Sequence, residues 1–372
     1  MKIRGLVAAG IVTFFPLVSA AAVPATFDSA VQELGQAWLT DNDGVGLTIG
    51  VYDDGQKHFY NFGATRLDGN RVPTKDTVYE IGSVAKTFAA QLLARAVIEG
   101  RAALEDDIAK YLDDKYPNLT RDGQPIRLVH LANMTSQLVD NIPDMTQVRA
   151  VPGVPLATTR MAVYDKYTRA ELLRQLHRVA PRAAPGGDPG QSNVAAMLLM
   201  IVLEKIYDEP FDRMLTREIE KPLRMASGIV PNAKLLARGY TREGEELPTY
   251  GAQMSWVTGS LRYSTEDLLK YAAWQMAEKD ASVKLAHRPT WSTPDQNESI
   301  ALYWLAVQSP QGRRLYFSGG TFGFTSVCDL YPEARVAVVL LVNKHADRAQ
   351  DSLRAMSAKI VSLARPASVA SP

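Results

Sequence analysis

Cysteine is almost missing. Cys328 is the only one in 372 residues, which excludes internal disulfides and any cysteine-built zinc site. Metal motifs are missing as well. The histidines His58, His130, His177, His287 and His345 are scattered, with no His-Glu-x-x-His and no close pair. No metal and no organic cofactor is expected. An excess of either charge is absent: 41 Lys+Arg face 40 Asp+Glu, which argues against an electrostatic nucleic-acid binder. There are no internal repeats and no low-complexity linker. Past the N-terminus no apolar run approaches the ~20 residues that a membrane span needs. What is present is ordinary for a globular enzyme or binding protein: 46% hydrophobic and 22% charged residues, enough chain for a large core.

The first 20 residues read as an export signal. Lys2 and Arg4 precede a mostly apolar stretch from Gly5 to Val18, and Val18-Ser19-Ala20 offers the small residues a signal peptidase requires. An uncleaved anchor is the competing reading, set against by the shortness of the run. The expectation is a signal peptide over 1–20, one domain over 21–366 and a disordered tail over 367–372, in an exported and periplasmic protein.

Patterning along the chain predicts strands near both ends and helices between. An amphipathic helix is expected over Phe27 to Leu39. Val45 to Tyr52 and Lys57 to Phe62 flank Asp53-Asp54-Gly55-Gln56, a hairpin signal. Thr325 to Leu330 and Val336 to Val342 form a second hairpin, apolar enough for a covered sheet. Phe88, Leu92, Leu93, Ala96 and Val97 recur at helical spacing before a capping Gly100. Val194 to Tyr207 is apolar all round, and so a buried helix. Thr265-Glu266-Asp267 opens another, running to Met276. The fold class is therefore α+β: an antiparallel sheet built from both termini, flanked by helices, with an all-helical subdomain inserted.

Chemistry is suggested by Glu80-Ile81-Gly82-Ser83-Val84-Ala85-Lys86-Thr87-Phe88. Residues three apart on a helix share a face, so Ser83 and Lys86 can meet. A serine hydroxyl needs a neighbour to take its proton. A buried lysine, its charged form disfavoured, can do so. The helix N-terminus adds backbone N–H groups near developing negative charge. Alone, Ser-x-x-Lys is common, and equally describes a capping serine and a solvated lysine.

With these residues in context, the chain resembles the serine β-lactamase and penicillin-binding-protein superfamily. The closer likeness is to its class C branch, which includes D-Ala-D-Ala carboxypeptidases, D-aminopeptidases and esterases. The likeness runs from about Val45 to Val342. Tyr79 to Thr87 looks like the nucleophile motif, and Leu128 to Leu138 like a segment that usually ends His-Thr-Ser-Gly-Leu. Pro185-Gly186 through Ser192-Asn193 looks like the Pro-Gly…Tyr-Ser-Asn segment. Lys221 to Met225, Gly259-Ser260-Leu261 and Ser318 to Ser326 match further landmarks. The resemblance implies acyl-enzyme chemistry without a cofactor. It makes Ser83 the nucleophile and Lys86 its proton acceptor. Gln191, Asn193, Phe317, Ser318, Gly319 and Gly320 become substrate-binding positions, with Asn193 bonded to substrate or to Lys86 and Ser318 and Gly319 on an edge strand. The backbone N–H of Ser83 and one near Gly320 or Thr321 would form an oxyanion hole. Implied partners are small molecules or peptidoglycan-derived peptides.

Two positions depart from the pattern. Gln191 stands where the family has tyrosine, and a carboxamide has no usable proton-transfer pKa. Phe317 stands where lysine or histidine precedes Thr/Ser-Gly, removing a donor for a substrate carboxylate. A third, milder change is Gln137 for glycine. Three outcomes are compatible with them: a hydrolase using Lys86 alone, a protein acylated at Ser83 but slow to release, or a non-catalytic cell-wall or ligand binder on the same fold. Tyr164 and Tyr167 are the tyrosines in the helical region that could approach the cleft. Cys328 is read as a small buried apolar residue, and His130 as packing beside a helix.

Overall fold

The computed structural model describes residues 26–366 apart from 230, 250 and 346–347. The signal peptide and the tail expected at the two ends lie outside the described residues. The chain starts with α1 (Phe27–Asp41), capped by the Thr26 hydroxyl, which accepts from the Ser29 N–H. The hairpin β1 (Gly46–Asp53) and β2 (Gln56–Gly63) follows, turning at Asp54-Gly55 with both residues at positive φ. Next come α2 (Ala85–Ile98), α3 (Leu156–Asp165), α4 (Asn193–Tyr207) and α5 (Thr265–Ala277). The C-terminal part supplies β3 (Trp291–Ser292), β4 (Glu298–Ile300), β5 (Leu305–Ser309), β6 (Gly312–Gly320), β7 (Thr325–Tyr331), β8 (Val336–Val342) and α6 (Ala349–Ala364).

All eight strands join one antiparallel sheet in the order β2-β1-β8-β7-β6-β5-β4-β3. The strand Leu47 to Asp53 pairs with Val342 back to Val336, so the first and last of these strands in sequence lie side by side, second and third in the sheet. One face packs on α1 and α6 through Val31, Ile49, Val338, Leu353 and Ile360. The other packs on α5 and the helical insert through Phe88, Leu269, Cys328 and Val339. β7 and β8 are buried on both faces, which is why they read as unbroken apolar runs. Cys328 is fully buried, as expected, and burial pushes its thiol up in pKa. Among the described residues between β2 and β3 the helices are joined by loops and three short ladders: Val78–Glu80 with Arg262–Ser264, Thr120–Arg121 with Gln124–Pro125, and Gly239–Tyr240 with Glu246–Leu247.

One expectation is corrected. β6 is not an edge strand, because β5, β4 and β3 continue the sheet beyond it. Its pairing with β5 stops at Tyr316, opposite Leu305, while its pairing with β7 runs on to Gly320. From Phe317 onward one side of the strand is therefore open, and it is there that the helical insert meets the sheet.

Candidate active site

Ser83 lies in a single 3₁₀ turn, Gly82–Val84, that leads into α2. The turn is set by Gly82, whose φ is +55°. A Cβ on Gly82 would fall 2.4 Å from the Gly320 nitrogen, and one on Gly319 would fall 2.2 Å from the Ile81 carbonyl oxygen and 2.8 Å from the Ser83 nitrogen. Backbone thus lies directly on backbone where the open side of β6 meets the Ser83 turn, and only glycine fits. The Ser326 hydroxyl, one strand over, donates to the Ile81 carbonyl across 2.6 Å and pins the same turn.

Lys86, on the first turn of α2, is only 1% exposed. Its Nζ lies 3.1 Å from the Ser83 Oγ and 3.3 Å from the Gln191 Oε1. Burial lowers its pKa to about 8, with the Asp140 carboxylate opposing that shift. Ser83 itself is half-buried.

Gln191 and Asn193 flank the head of α4, where the N-cap is Ser192, whose hydroxyl accepts from the Ala195 N–H. The expected Asn193–Lys86 contact is not made; Gln191 is the residue that reaches Lys86. The Asn193 Nδ2 instead donates to the Asn141 Oδ1 at 2.9 Å, which also accepts from the Tyr164 hydroxyl at 2.9 Å. The Asn193 Oδ1 is buried without a hydrogen-bond partner among the described residues, and so is the Ser318 hydroxyl. Both are poised to bond an incoming group, since leaving them unpaired is costly.

Phe317 is 2% exposed and packs edge-on against Tyr303, with ring centroids 5.9 Å apart. It presents an apolar wall rather than a donor. Gly319 is covered by Ile81 and Ser83, so it sets the distance between strand and turn rather than lining the cleft. Of the two tyrosines considered, Tyr164 lines the cleft, and burial pushes its pKa up to about 12. Tyr167 is buried and bonds to Gln175. His130 serves its helix: its Nδ1 accepts from the Arg127 N–H, and burial holds its pKa down at about 4.

Two hollows lie along the cleft. The larger, about 740 Å³, takes Gly320 from β6 and Asn193 from α4, together with Asn141, Arg160, Tyr164 and His345. The smaller, about 280 Å³, takes Ser318 and Phe317 from the same strand and Gln191 from the same loop, with Gln350 and Arg354 of α6 closing it. Arg160, Asn141 and His345 were not picked out from the sequence. The His345 Nδ1 is buried and unpartnered among the described residues, 4.0 Å from where a Cβ on Gly320 would stand. No spacing links these residues to Ser83; they are joined only by the fold. Among the described residues no group of acidic, histidine or cysteine side chains could hold a metal ion, and none of the described helices is long and apolar enough to cross a membrane.

The family model described as Beta-lactamase matches residues 27–361. D-alanyl-D-alanine-carboxypeptidase/endopeptidase AmpH of Escherichia coli (strain K12) is 25% identical over 326 residues, 80% of this chain and 79% of that protein. A beta-lactamase of Pseudomonas fluorescens is 24% identical over 362 residues, 87% of this chain and 94% of that protein. Among solved structures, a class C beta-lactamase superposes with a TM-score of 0.77 at 20% identity, covering 90% of this chain and 96% of that one. A beta-lactamase/D-alanine carboxypeptidase from Pseudomonas syringae superposes with a TM-score of 0.74 at 18% identity, covering 93% and 99%.

Proposed function

The chain belongs to the beta-lactamase family, and on that footing we propose that it is an exported serine hydrolase that forms an acyl-enzyme at Ser83. Its substrates are D-alanyl peptides, β-lactams or small esters. The observation that carries the reading is the contact of the buried Lys86 amine with the Ser83 hydroxyl at 3.1 Å, where burial lowers the amine pKa to about 8. The neutral Nζ takes the hydroxyl proton as the Oγ bonds to the carbonyl carbon. Negative charge collects on the carbonyl oxygen, where the Ser83 and Gly320 N–H groups are the proposed donors; losing one such donor typically costs about 3 kcal/mol. The Lys86 ammonium then returns its proton to the leaving nitrogen or oxygen, and the C–N or C–O bond breaks. Water repeats the sequence on the ester, giving its proton to Lys86, and the acid departs from Ser83. No metal or organic cofactor takes part in these steps. Export is supported by the basic and apolar pattern of the first 20 residues.

A second reading is favoured by one residue. Gln191 holds the position from which the family tyrosine relays protons, and its amide can only accept from Lys86. Acylation then proceeds while hydrolysis of the ester lags, and the protein behaves as a covalent binder. Intact-mass analysis over time with a β-lactam or a fluorophosphonate tests both. An adduct on the wild type that is absent from Ser83→Ala supports the nucleophile, and its decay rate separates turnover from trapping. No adduct, or an equal one on Ser83→Ala, overturns the reading.

A further inference from the structure

We propose that Arg160 is a receptor for a carboxylate on the acyl part of the substrate, so that amides and esters with an anionic acyl group are preferred. The inference rests on the acyl-enzyme reading and names its substrate class. Arg160 and Tyr164 stand one turn apart on α3 and both line the 740 Å³ hollow. Tyr164 is tied to Asn141, and through it to Asn193 at the head of α4. Among the described residues Arg160 makes no hydrogen bond or ion pair, and its Nε is buried without a partner there. Arg314 and Arg95, also half-buried, each have a carboxylate partner: Asp329 at 2.6 Å and Asp280 at 3.2 Å. An Nε–H withdrawn from water without an acceptor is unfavourable, and a carboxylate offers a guanidinium two parallel hydrogen bonds, one of them to that Nε.

The side of the substrate follows from the chemistry. Lys86 must hand its proton to the leaving atom, so the leaving group lies toward Lys86, Gln191 and the smaller hollow. The acyl part is left with the Asn193 and Gly320 side, which is the hollow that holds Arg160. Phe317 has no charge to offer a leaving-group carboxylate, so the free cationic contact sits on the acyl side instead. Arg242, Glu243 and Glu245, all exposed, also line this hollow.

The test is a binding comparison in the Ser83→Ala protein, with N-succinyl-D-alanyl-D-alanine and its twin in which the succinyl carboxylate is a carboxamide. Calorimetry is expected to show the carboxylate probe bound at least about tenfold more tightly, the scale of one charge-assisted pair. Added Arg160→Gln brings that ratio to about one, and Arg160→Lys keeps part of it. Equal affinity of the two probes in Ser83→Ala, absent binding of the carboxylate probe, or an unchanged ratio in Arg160→Gln overturns the proposal. Should Arg160→Gln bind neither probe, Arg160→Lys decides, since loss of the ratio there without loss of the carboxamide twin cannot come from misfolding. Failure of the wild type to form a Ser83 adduct strikes the acyl-enzyme reading alone, because this comparison is made without that hydroxyl.

Discussion

Lys86 points its amine at the Ser83 hydroxyl, 3.1 Å away, from a site that water barely reaches. The pair is one turn apart on the same segment, so its geometry depends on a helix start and not on distant packing. Its acid–base state does depend on packing, because burial beneath Gln191 and the sheet lowers the amine pKa to about 8.

Acylation is expected to follow the neutral amine. The rate of Ser83 labelling by a fluorophosphonate rises with pH through about 8 and then levels. Lys86→Ala removes the rise and lowers the rate by ~10²-fold or more. Stopped-time mass spectrometry between pH 6 and 10 reads both.

The same burial carries a stability cost. In the folded chain Lys86 gives up its proton at about 8, and in the unfolded chain near its ordinary 10.5. The unfolded state binds more protons between these values, so stability rises with pH across that window. Lys86→Met is expected to abolish acylation yet raise stability at pH 7 by about 1–3 kcal/mol. Urea unfolding of the two proteins measures the difference.

On the proposed mechanism Gln191 slows release. Restoring a phenol with Gln191→Tyr is expected to speed loss of the Ser83 adduct by on the order of tenfold or more, and to raise steady-state esterase turnover with it. Gln191→Ala removes the Lys86 contact without adding a proton carrier, and is expected to leave release slow. Adduct lifetime by mass spectrometry separates the two variants.

Gly82 tolerates no side chain. Alanine there meets both the positive φ and the Gly320 nitrogen, so Gly82→Ala is expected to cost at least about 2 kcal/mol and to abolish acylation. Thermal unfolding and adduct formation together check this; loss of stability with full acylation would contradict it.

Away from the cleft, Arg313 grips both oxygens of Glu278 at 2.9 and 2.8 Å, with the His287 Nδ1 2.7 Å from the first. Burial alone would raise the carboxyl, but these partners outweigh it and hold the pKa at about 2. Stabilisation from Glu278 is therefore complete above its ordinary 4.5 and is lost as pH falls toward 2. Glu278→Gln is expected to cost about 1–2 kcal/mol at pH 7 and nearly nothing at pH 2.

Much of this was legible in the chain. The hairpins around Asp54-Gly55 and after Tyr331, and the apolar helix before Tyr207, follow from period and turn chemistry, which are local. Ser83 and Lys86 are local too. The surroundings are not. The resemblance puts Ser318 and Gly319 on an edge strand, yet three short strands built from Trp291 to Ser309 extend the sheet past β6. Their lengths of two to five residues are too short for alternation to declare itself. Lys86 meeting Gln191 rather than Asn193 turns on which way a cap residue points, and sequence spacing holds no such information. Arg160 was silent because a charged residue on a polar helix reads as solvated until the cavity beside it is known.

The pairing of Leu47 with Val342 has a consequence for biogenesis. A nascent chain that has emerged as far as Ser83 and Lys86 already holds both reactive groups, but the strand that must lie against them is still to be synthesised. Closing loops of that size is slow, so assembly waits for the last strands. Truncated products that lack β6 to β8 therefore lack the strand that packs on the Ser83 turn, and on the proposed mechanism they are expected to be inert.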